Sequence, residues 1–238
     1  MSNQTADCCE QCSATASTTE GGTTARRADG GQRATTEYDT ATPADRWLDE
    51  PVLAGTLPAD LAATAAAFYG VERVETLGDF ADATRAAAGG AIDPADLCHT
   101  DGPSPHRATA GDDTYQFQCF YDGLVLARLR ESAIDIETVS PGGTPIDLYV
   151  SDDGTVDVAP SGAVVSFGVA ADAPTTGDPT AEQVYGAVCP QVRAFPSREA
   201  YMAWAAATDA PTVRLSLAAG LPVAASLIGR APRPDGNS

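Results

Sequence analysis

Cysteine is the residue type in this sequence with the clearest capacity for chemistry, and the six cysteines fall into two groups. Three lie in the motif DCCEQC near the N-terminus and three lie far apart in the rest of the chain: Cys8, Cys9 and Cys12, then Cys98, Cys119 and Cys189. A chain of 238 residues with so few cysteines does not depend on a disulfide framework. The sequence therefore favours free thiols that react or bind a metal.

The motif CFYD places Asp122 three residues after Cys119, where a strand pattern changes to a helical one. If a helix begins near Cys119, its N-terminal dipole favours the thiolate, and Asp122 lies on the same face. A thiol beside a carboxyl combines a nucleophile or ligand with a proton donor, provided that a dry pocket raises the pKa of the carboxyl. The alternative is an ordinary buried cysteine followed by a first-turn carboxylate.

Cys189 directly precedes Pro190 and is predicted to start a strand that runs to about residue 195. On its own, it fits a core cysteine. If Cys119 and Cys189 converge, two thiolates on neighbouring elements would form a two-coordinate site for a soft metal ion.

Two other groups of residues are weaker candidates for metal sites. Cys98, His99 and His106 are too few and too isolated for a complete ligand set, so structural or surface roles are favoured. The aspartates within residues 152–157 lack the full calcium-loop pattern and fit a solvated hairpin turn better.

The formal net charge of −19 limits the partners of this protein, because 33 acidic side chains stand against 14 basic ones, all of them arginine. A field this negative repels phosphate groups, so neither nucleic acid nor an anionic membrane surface is an expected partner. The sequence has no apolar run of the roughly 18 residues that span a bilayer and no signal-peptide pattern, which predicts a cytoplasmic protein. The composition also suits a salt-rich cell interior and predicts a halophilic source.

The first half of the chain contains helical patterns. Within residues 47–90, Leu61, Ala65 and Phe68 share one face of a first helix, and a second helix follows. Residues 100–113 are rich in glycine and proline and are predicted to be a loop.

The second half shows the period-two alternation that is typical of half-buried strands. Strands are predicted near residues 115–119, 134–136, 146–150, 164–170, 188–195 and 213–217. Helices are predicted near Glu182, after an N-cap at Ser197, and through Leu221 and Ile228 despite Pro222. The chain is therefore predicted to be α+β, with a helical N-terminal lobe followed by a mixed-sheet C-terminal lobe.

Four segments together resemble the catalytic domain of the alkylmercury lyases, also called organomercurial lyases. They are YQFQCFYDGLVLA, SPGGTPIDLYVSDDGTVDVAPSGAVVSF, VCPQVRAFPSREAYMAWAA and TVRLSLAAG, and they agree with that family in order and spacing over roughly half of the chain. The resemblance implies that Cys119, Asp122 and Cys189 are the catalytic residues. It also implies the activity: protonolysis of a carbon–mercury bond, which releases a hydrocarbon and Hg(II) in mercury detoxification.

The resemblance also implies what the reaction needs. Two thiolates would capture the thiophilic mercury, Asp122 would relay a proton to carbon, and no cofactor is required. The expected partners are an organomercurial substrate and a thiol acceptor or mercuric reductase that takes Hg(II). The alternative is a soft-metal carrier on the same fold that binds mercury or copper through Cys119 and Cys189 without cleaving bonds.

The domain organisation follows from composition and from the resemblance. Residues 2–46 contain no Val, Ile, Leu, Phe, Met or Trp, so they cannot offset their ordering entropy. The predicted parts are a disordered cysteine-containing tail at 1–46, a helical lobe at 47–112, an alkylmercury lyase-like catalytic domain at 113–230, and a disordered C-terminus at 231–238. In the tail, Cys8, Cys9 and Cys12 are close enough to hold a soft ion and pass on Hg(II), although incidental metal binding is the alternative.

The sequence departs from the family at three places. Many members carry a cysteine where Val139 stands here, and members can have a cysteine doublet at the second site, where Pro190 takes the second place. Residues 47–112 do not match the family's helical N-terminal domain, which could alter how the site is covered and which substrates enter.

Overall fold

The computed structural model describes residues 46–90, 92–130, 132–175 and 177–229 of the chain. The predicted tail with Cys8, Cys9 and Cys12 and the predicted C-terminal segment at 231–238 lie outside the described residues. Among the residues described, no helix has the length and apolar character needed to cross a membrane.

Two helices, α1 (Ala59–Tyr69) and α2 (Leu77–Ala87), form the predicted helical N-terminal segment. A capping box begins α2, in which the Thr76 side chain accepts from the Asp79 backbone N–H and the Asp79 carboxylate accepts from the Thr76 N–H. The Tyr69 ring packs edge-to-face on Phe80 at a centroid distance of 5.9 Å, which joins the two helices.

The larger sheet has five antiparallel strands in the order β2-β1-β3-β4-β5. They are β1 (His106–Ala110), β2 (Asp113–Phe117), β3 (Ile134–Val139), β4 (Pro145–Val150) and β5 (Val156–Ala159). The predicted loop at 100–113 is therefore wrong, because β1 lies within it. The buried side chains of β1 belong to histidine and alanine, so the strand lacks the large apolar alternation that would have revealed it. The proposed domain boundary between residues 112 and 113 falls at the turn between β1 and β2.

A second antiparallel sheet has the order β7-β6-β8, with β6 (Val164–Gly168), β7 (Ala194–Phe195) and β8 (Thr212–Ser216). The predicted strand at 188–195 is mostly wrong. Helix α4 (Ala181–Val188) runs into a 3-10 turn at Cys189–Gln191, and only the last two residues form a strand. A capping box at Thr180 and Gln183 starts this helix, and the ring of Pro190 suits the turn after it.

The remaining helices lie between and around the sheets: α3 (Tyr121–Arg130), α5 (Arg198–Ala205) and α6 (Gly220–Leu227). The predicted N-cap at Ser197 is confirmed, since its side chain accepts from the Ala200 N–H. Pro222 lies in the first turn of α6, where its missing N–H has no intrahelical partner to lose. Helix α6 packs against α2 and α3, and one continuous core joins the N-terminal helices to both sheets. The predicted α+β class is confirmed.

Gly70 at the end of α1 packs closely against Gly177 in the segment that leads into α4, and this contact can be tested by mutation. Gly70 ends α1 with φ of 66°, and a Cβ added there would overlap the carbonyl of Gly177. Gly111 has φ of 61° but no atom within 4 Å of an added Cβ. Gly111→Ala should cost only the roughly 1–2 kcal/mol of left-handed backbone strain. Gly70→Ala should lower the free energy of unfolding by about 2 kcal/mol more than Gly111→Ala does, because the backbone at Gly177 must move to make room for the new Cβ.

Urea unfolding of both variants measures the difference. Equal losses for Gly70→Ala and Gly111→Ala would contradict the tight contact between the two loops.

Candidate active site

Cys119 and Asp122 are brought together where β2 leads into α3. Asp122 is the second residue of α3, and its backbone N–H donates to the Cys119 carbonyl at 3.3 Å. Cys119 is buried in the turn that precedes the helix. The local spacing of the two residues therefore suffices to place the thiol and the carboxyl on the same side of one turn.

Cys189 lies near Cys119 and Asp122 but belongs to a different part of the fold, the end of α4. It lies at the end of α4 rather than at the start of a strand, so the predicted setting is wrong. Hydrogen bonding of its thiol with Cys119, then with Cys98, together with burial, raises the pKa of Cys189 well above its ordinary value. The Cys189 thiol thus keeps its proton in the neighbourhood of the other two cysteines.

The carboxyl of Asp122 is enclosed by protein atoms, although Asp122 as a residue is half-buried because it faces a cavity. Burial raises its pKa from 3.8 to about 7, and the Cys98 backbone N–H, which donates to Oδ2 at 3.2 Å, offsets only part of this shift. A carboxyl with this pKa is populated in both protonation states near neutral pH, as a proton relay requires.

A cavity of about 90 Å³ joins these groups, which is room for several water-sized groups and hence for a small organic group. Its walls come mainly from α2, α3, α4 and α6, with Phe167 of β6, and are mostly apolar: Phe80, Val125, Val223 and Leu227 are among them. Cys119, Asp122 and Cys189 also line it. The cavity therefore offers an apolar chamber that is lined by Cys119, Cys189 and the buried carboxyl of Asp122.

Tyr185 of α4 stands beside these groups. Its hydroxyl donates to the Asp96 carbonyl at 3.3 Å. Burial, and then the proximity of Cys98, Cys189 and Asp122, raises its pKa to about 12. Tyr185 therefore presents a neutral hydroxyl to the site across the pH range in which proteins are usually studied.

Cys98 is the residue of this site that sequence analysis missed, since it was assigned a structural or surface role. Residues 98–100 run antiparallel to 116–118: the Gln118 N–H donates to the Cys98 carbonyl at 2.9 Å, and the Thr100 N–H donates to the Gln116 carbonyl at 3.0 Å. This pairing carries Cys98 next to the CFYD motif. The segment CHT has no alternation of apolar and polar side chains, so the signal in the sequence was only the presence of another cysteine.

The two histidines make other contacts. His106 Nδ1 pairs with the Thr138 hydroxyl at 2.7 Å, and burial, then Arg193, lowers its pKa to about 4. His99 Nε2 pairs with the Pro94 carbonyl at 2.8 Å. Across residues 46–229, in the part that the structure describes, no three His, Cys, Asp or Glu side chains are arranged to hold one metal ion together. The predicted structural role of the two histidines agrees with these contacts.

The aspartates at the turn between β4 and β5 also have a structural setting. The Asp153 carboxylate accepts from the Thr155 N–H at 2.9 Å and from the Ser151 hydroxyl. Asp152 and Asp157 are exposed. The expected solvated hairpin agrees with this turn.

Comparison with known proteins shows a family and gives matches among solved structures. The family model described as "Alkylmercury lyase" matches residues 99–229 of the chain. A solved structure named "Crystal structure of the mercury-bound form of MerB2" is similar at 20% identity with a TM-score of 0.42, over 54% of this chain and 59% of that one. The chain thus spans less than two thirds of the length of that relative. A search of curated proteins found no match. Because the family model covers more than half of the sequence, this chain belongs to the alkylmercury lyase family.

Proposed function

We propose that this protein is an organomercurial lyase that cleaves a carbon–mercury bond by protonolysis. The observation that carries the proposal is the Asp122 carboxyl, whose burial raises its pKa to about 7, in one cavity with the thiols of Cys119 and Cys189. Sulfur ligands prefer soft metals such as mercury, and a carboxyl in both protonation states can pass a proton.

Capture of the substrate begins at Cys119. The Cys119 sulfur forms a bond to mercury and displaces the group opposite the carbon, and its proton leaves with that group. The Cys189 thiol, which holds its proton because of its contacts with Cys119 and Cys98, then adds as a second sulfur. Its proton passes to the Asp122 carboxylate, and the second sulfur pushes electron density onto carbon.

Cleavage completes the exchange without a change of oxidation state at mercury. The carbon–mercury bond breaks, its electron pair stays on carbon, and Asp122 delivers the proton that forms the new carbon–hydrogen bond. The products are a hydrocarbon and Hg(II) held by two thiolates, which an external thiol or a mercuric reductase would accept. The chain's own residues supply every group in this sequence, so no cofactor is required. The apolar walls of the cavity suit a small alkyl or aryl group on mercury.

The alternative function is that of a soft-metal carrier that uses only Cys119 and Cys189. Asp122 argues against it, because burying a carboxyl is costly and two-sulfur binding needs no proton donor at this place.

The first prediction concerns the thiols. Cys119→Ser and Cys189→Ser should each abolish release of benzene from phenylmercury in the presence of excess thiol and high salt, because each removes one sulfur that mercury needs. Gas chromatography of the arene measures the rate, and circular dichroism verifies the fold of each variant. Mercury uptake by the wild type without any arene would instead support the carrier.

The second prediction concerns proton delivery. Asp122→Asn should bind one equivalent of phenylmercury but release arene at least about 100-fold more slowly, in line with loss of a general acid. Mercury analysis after gel filtration gives the uptake, and gas chromatography gives the cleavage rate. The matched control is Asp147→Asn, which removes an exposed carboxyl of β4. Full activity of Asp122→Asn would rule out the role given to Asp122.

The third prediction is a dependence of stability on pH. Between pH 3.8 and about 7, the Asp122 carboxyl is protonated in the folded protein and ionised in the unfolded one, so the wild type loses stability as the pH rises. Asp122→Asn lacks this loss. The free energy of unfolding of Asp122→Asn minus that of the wild type should therefore increase by about 4 kcal/mol from pH 4 to pH 8.

Urea titrations at several pH values measure this difference, with Asp147→Asn again as the control. A gap between Asp122→Asn and wild type that stays constant with pH would show that the Asp122 carboxyl is not desolvated.

A further inference from the structure

Three cysteines lie at the candidate active site, although the proposed cleavage uses the thiols of only two of them. The thiols of Cys119 and Cys98 both lie close enough to the Cys189 thiol to raise its pKa, and the Cys98 backbone N–H donates to the Asp122 carboxylate at 3.2 Å. Cys119 is buried and lines the cavity, whereas Cys98 is half-buried and is not part of the cavity wall. Cys189 is half-buried as well but lines the cavity, so Cys98 is the one of the three that lies outside the cavity wall.

The backbone holds Cys98 in this place independently of its sulfur. Its N–H donates to the Asp122 carboxylate at 3.2 Å, and its carbonyl accepts from the Gln118 N–H at 2.9 Å. The preceding residue, Leu97, is buried and lines the cavity. A change of the Cys98 side chain alone therefore leaves these contacts in place. Cys98 also lies just before residues 99–229, which match the family model.

We infer that Cys98 is the exit thiol of this enzyme, which takes Hg(II) from the cavity and presents it to an external thiol. The inference rests on the proposed function, because the Hg(II) in question is the product of cleavage. It adds a step that cleavage itself does not need, since the hydrocarbon has left before Cys98 acts.

The transfer is a thiol exchange at mercury. The Cys98 sulfur bonds to Hg(II) as the bond between mercury and the Cys119 sulfur breaks, and the proton of the Cys98 thiol moves to the Cys119 sulfur. Mercury stays Hg(II), and two sulfurs hold it before and after the step, now Cys189 and Cys98.

The surroundings of Cys98 favour the next step, in which an external thiol takes Hg(II) from Cys98. Cys98 is more accessible than Cys119, and the neighbouring residues Asp96 and His99 are exposed. An incoming small thiol can therefore reach mercury on Cys98 without entering the cavity. The class of partner that this predicts is a thiol or dithiol in solution, or the thiol pair of a mercury-accepting protein.

The experiment separates cleavage from release. Full-length protein, with Cys8, Cys9 and Cys12 replaced by serine so that the N-terminal thiols take no metal, is loaded with one equivalent of phenylmercury without added thiol. Benzene is measured first. Dithiothreitol is then added, and the rate at which Hg(II) leaves the protein is measured by rapid gel filtration and mercury analysis. In this background, Cys98→Ser should still release benzene from the bound phenylmercury, but it should lose Hg(II) at least tenfold more slowly than its parent.

Two controls make the result specific to the sulfur. Cys98→Ala should behave as Cys98→Ser does, whereas His99→Gln, which alters the same loop and keeps the thiol, should release Hg(II) at the parent rate. Hg(II) release from Cys98→Ser at the parent rate, or an equal slowing by His99→Gln, would overturn the exit role.

Loading with HgCl2 instead of phenylmercury tests the exit role without cleavage. Slower removal of this Hg(II) from Cys98→Ser supports the exit role even if the parent yields no benzene, and in that case only the proposed cleavage fails. Equal removal from both proteins overturns the exit role whether or not benzene appears.

Discussion

The enclosure of the Asp122 carboxyl is the constraint on which the proposed chemistry depends. An aspartate in water is ionised at neutral pH and cannot donate a proton, whereas burial raises the pKa of this one to about 7. Keeping a carboxyl away from water has a cost that the packing around it must offset. Helices α2, α3, α4 and α6 supply that packing, and the Cys98 N–H gives the carboxylate a single backbone hydrogen bond.

Part of the enclosure comes from outside the segment that matches the family model. Phe80, Ala81 and Thr84 of α2 line the cavity, and all three precede residues 99–229. Helix α2 is fixed to the rest of the molecule through α6 and the shared core. Some of the residues that shape the cavity therefore lie outside the part of the chain that contains Cys119 and Cys189. If the protein has the proposed function, changes in α2 would alter the space for the organic group without altering the thiols.

Local features of the site could be predicted from the sequence, and its long-range contacts could not. The spacing of Cys119 and Asp122 is set within one turn, and the pattern around them gave the strand-to-helix change. Cys98 was missed because backbone hydrogen bonds between 98–100 and 116–118 leave no trace in side-chain pattern. Cys189 was given the wrong element because the apolar residues at its position fit a strand, while the capping box at Thr180 starts a helix that runs up to it. The α+β class was nevertheless predicted correctly, because most strands and helices show a clear strand-like or helix-like spacing of apolar residues.

The low polarity of the cavity also fits the charge balance of the proposed reaction. Burial keeps the hydroxyls of Tyr121 and Tyr185 neutral, and contacts with its neighbours keep the Cys189 thiol protonated. An organomercury cation brings one positive charge, and each thiol that binds mercury gives up one proton. One of the two protons leaves on the hydrocarbon and the other leaves with the displaced group, so Hg(II) with two thiolates remains as a neutral unit. The organomercury adduct with one thiolate is neutral as well, so a cavity that penalises net charge accommodates both this intermediate and the bound product. The same penalty applies to a charged thiolate that enters the cavity from solution, which is the reason that a sulfur outside the cavity wall would matter.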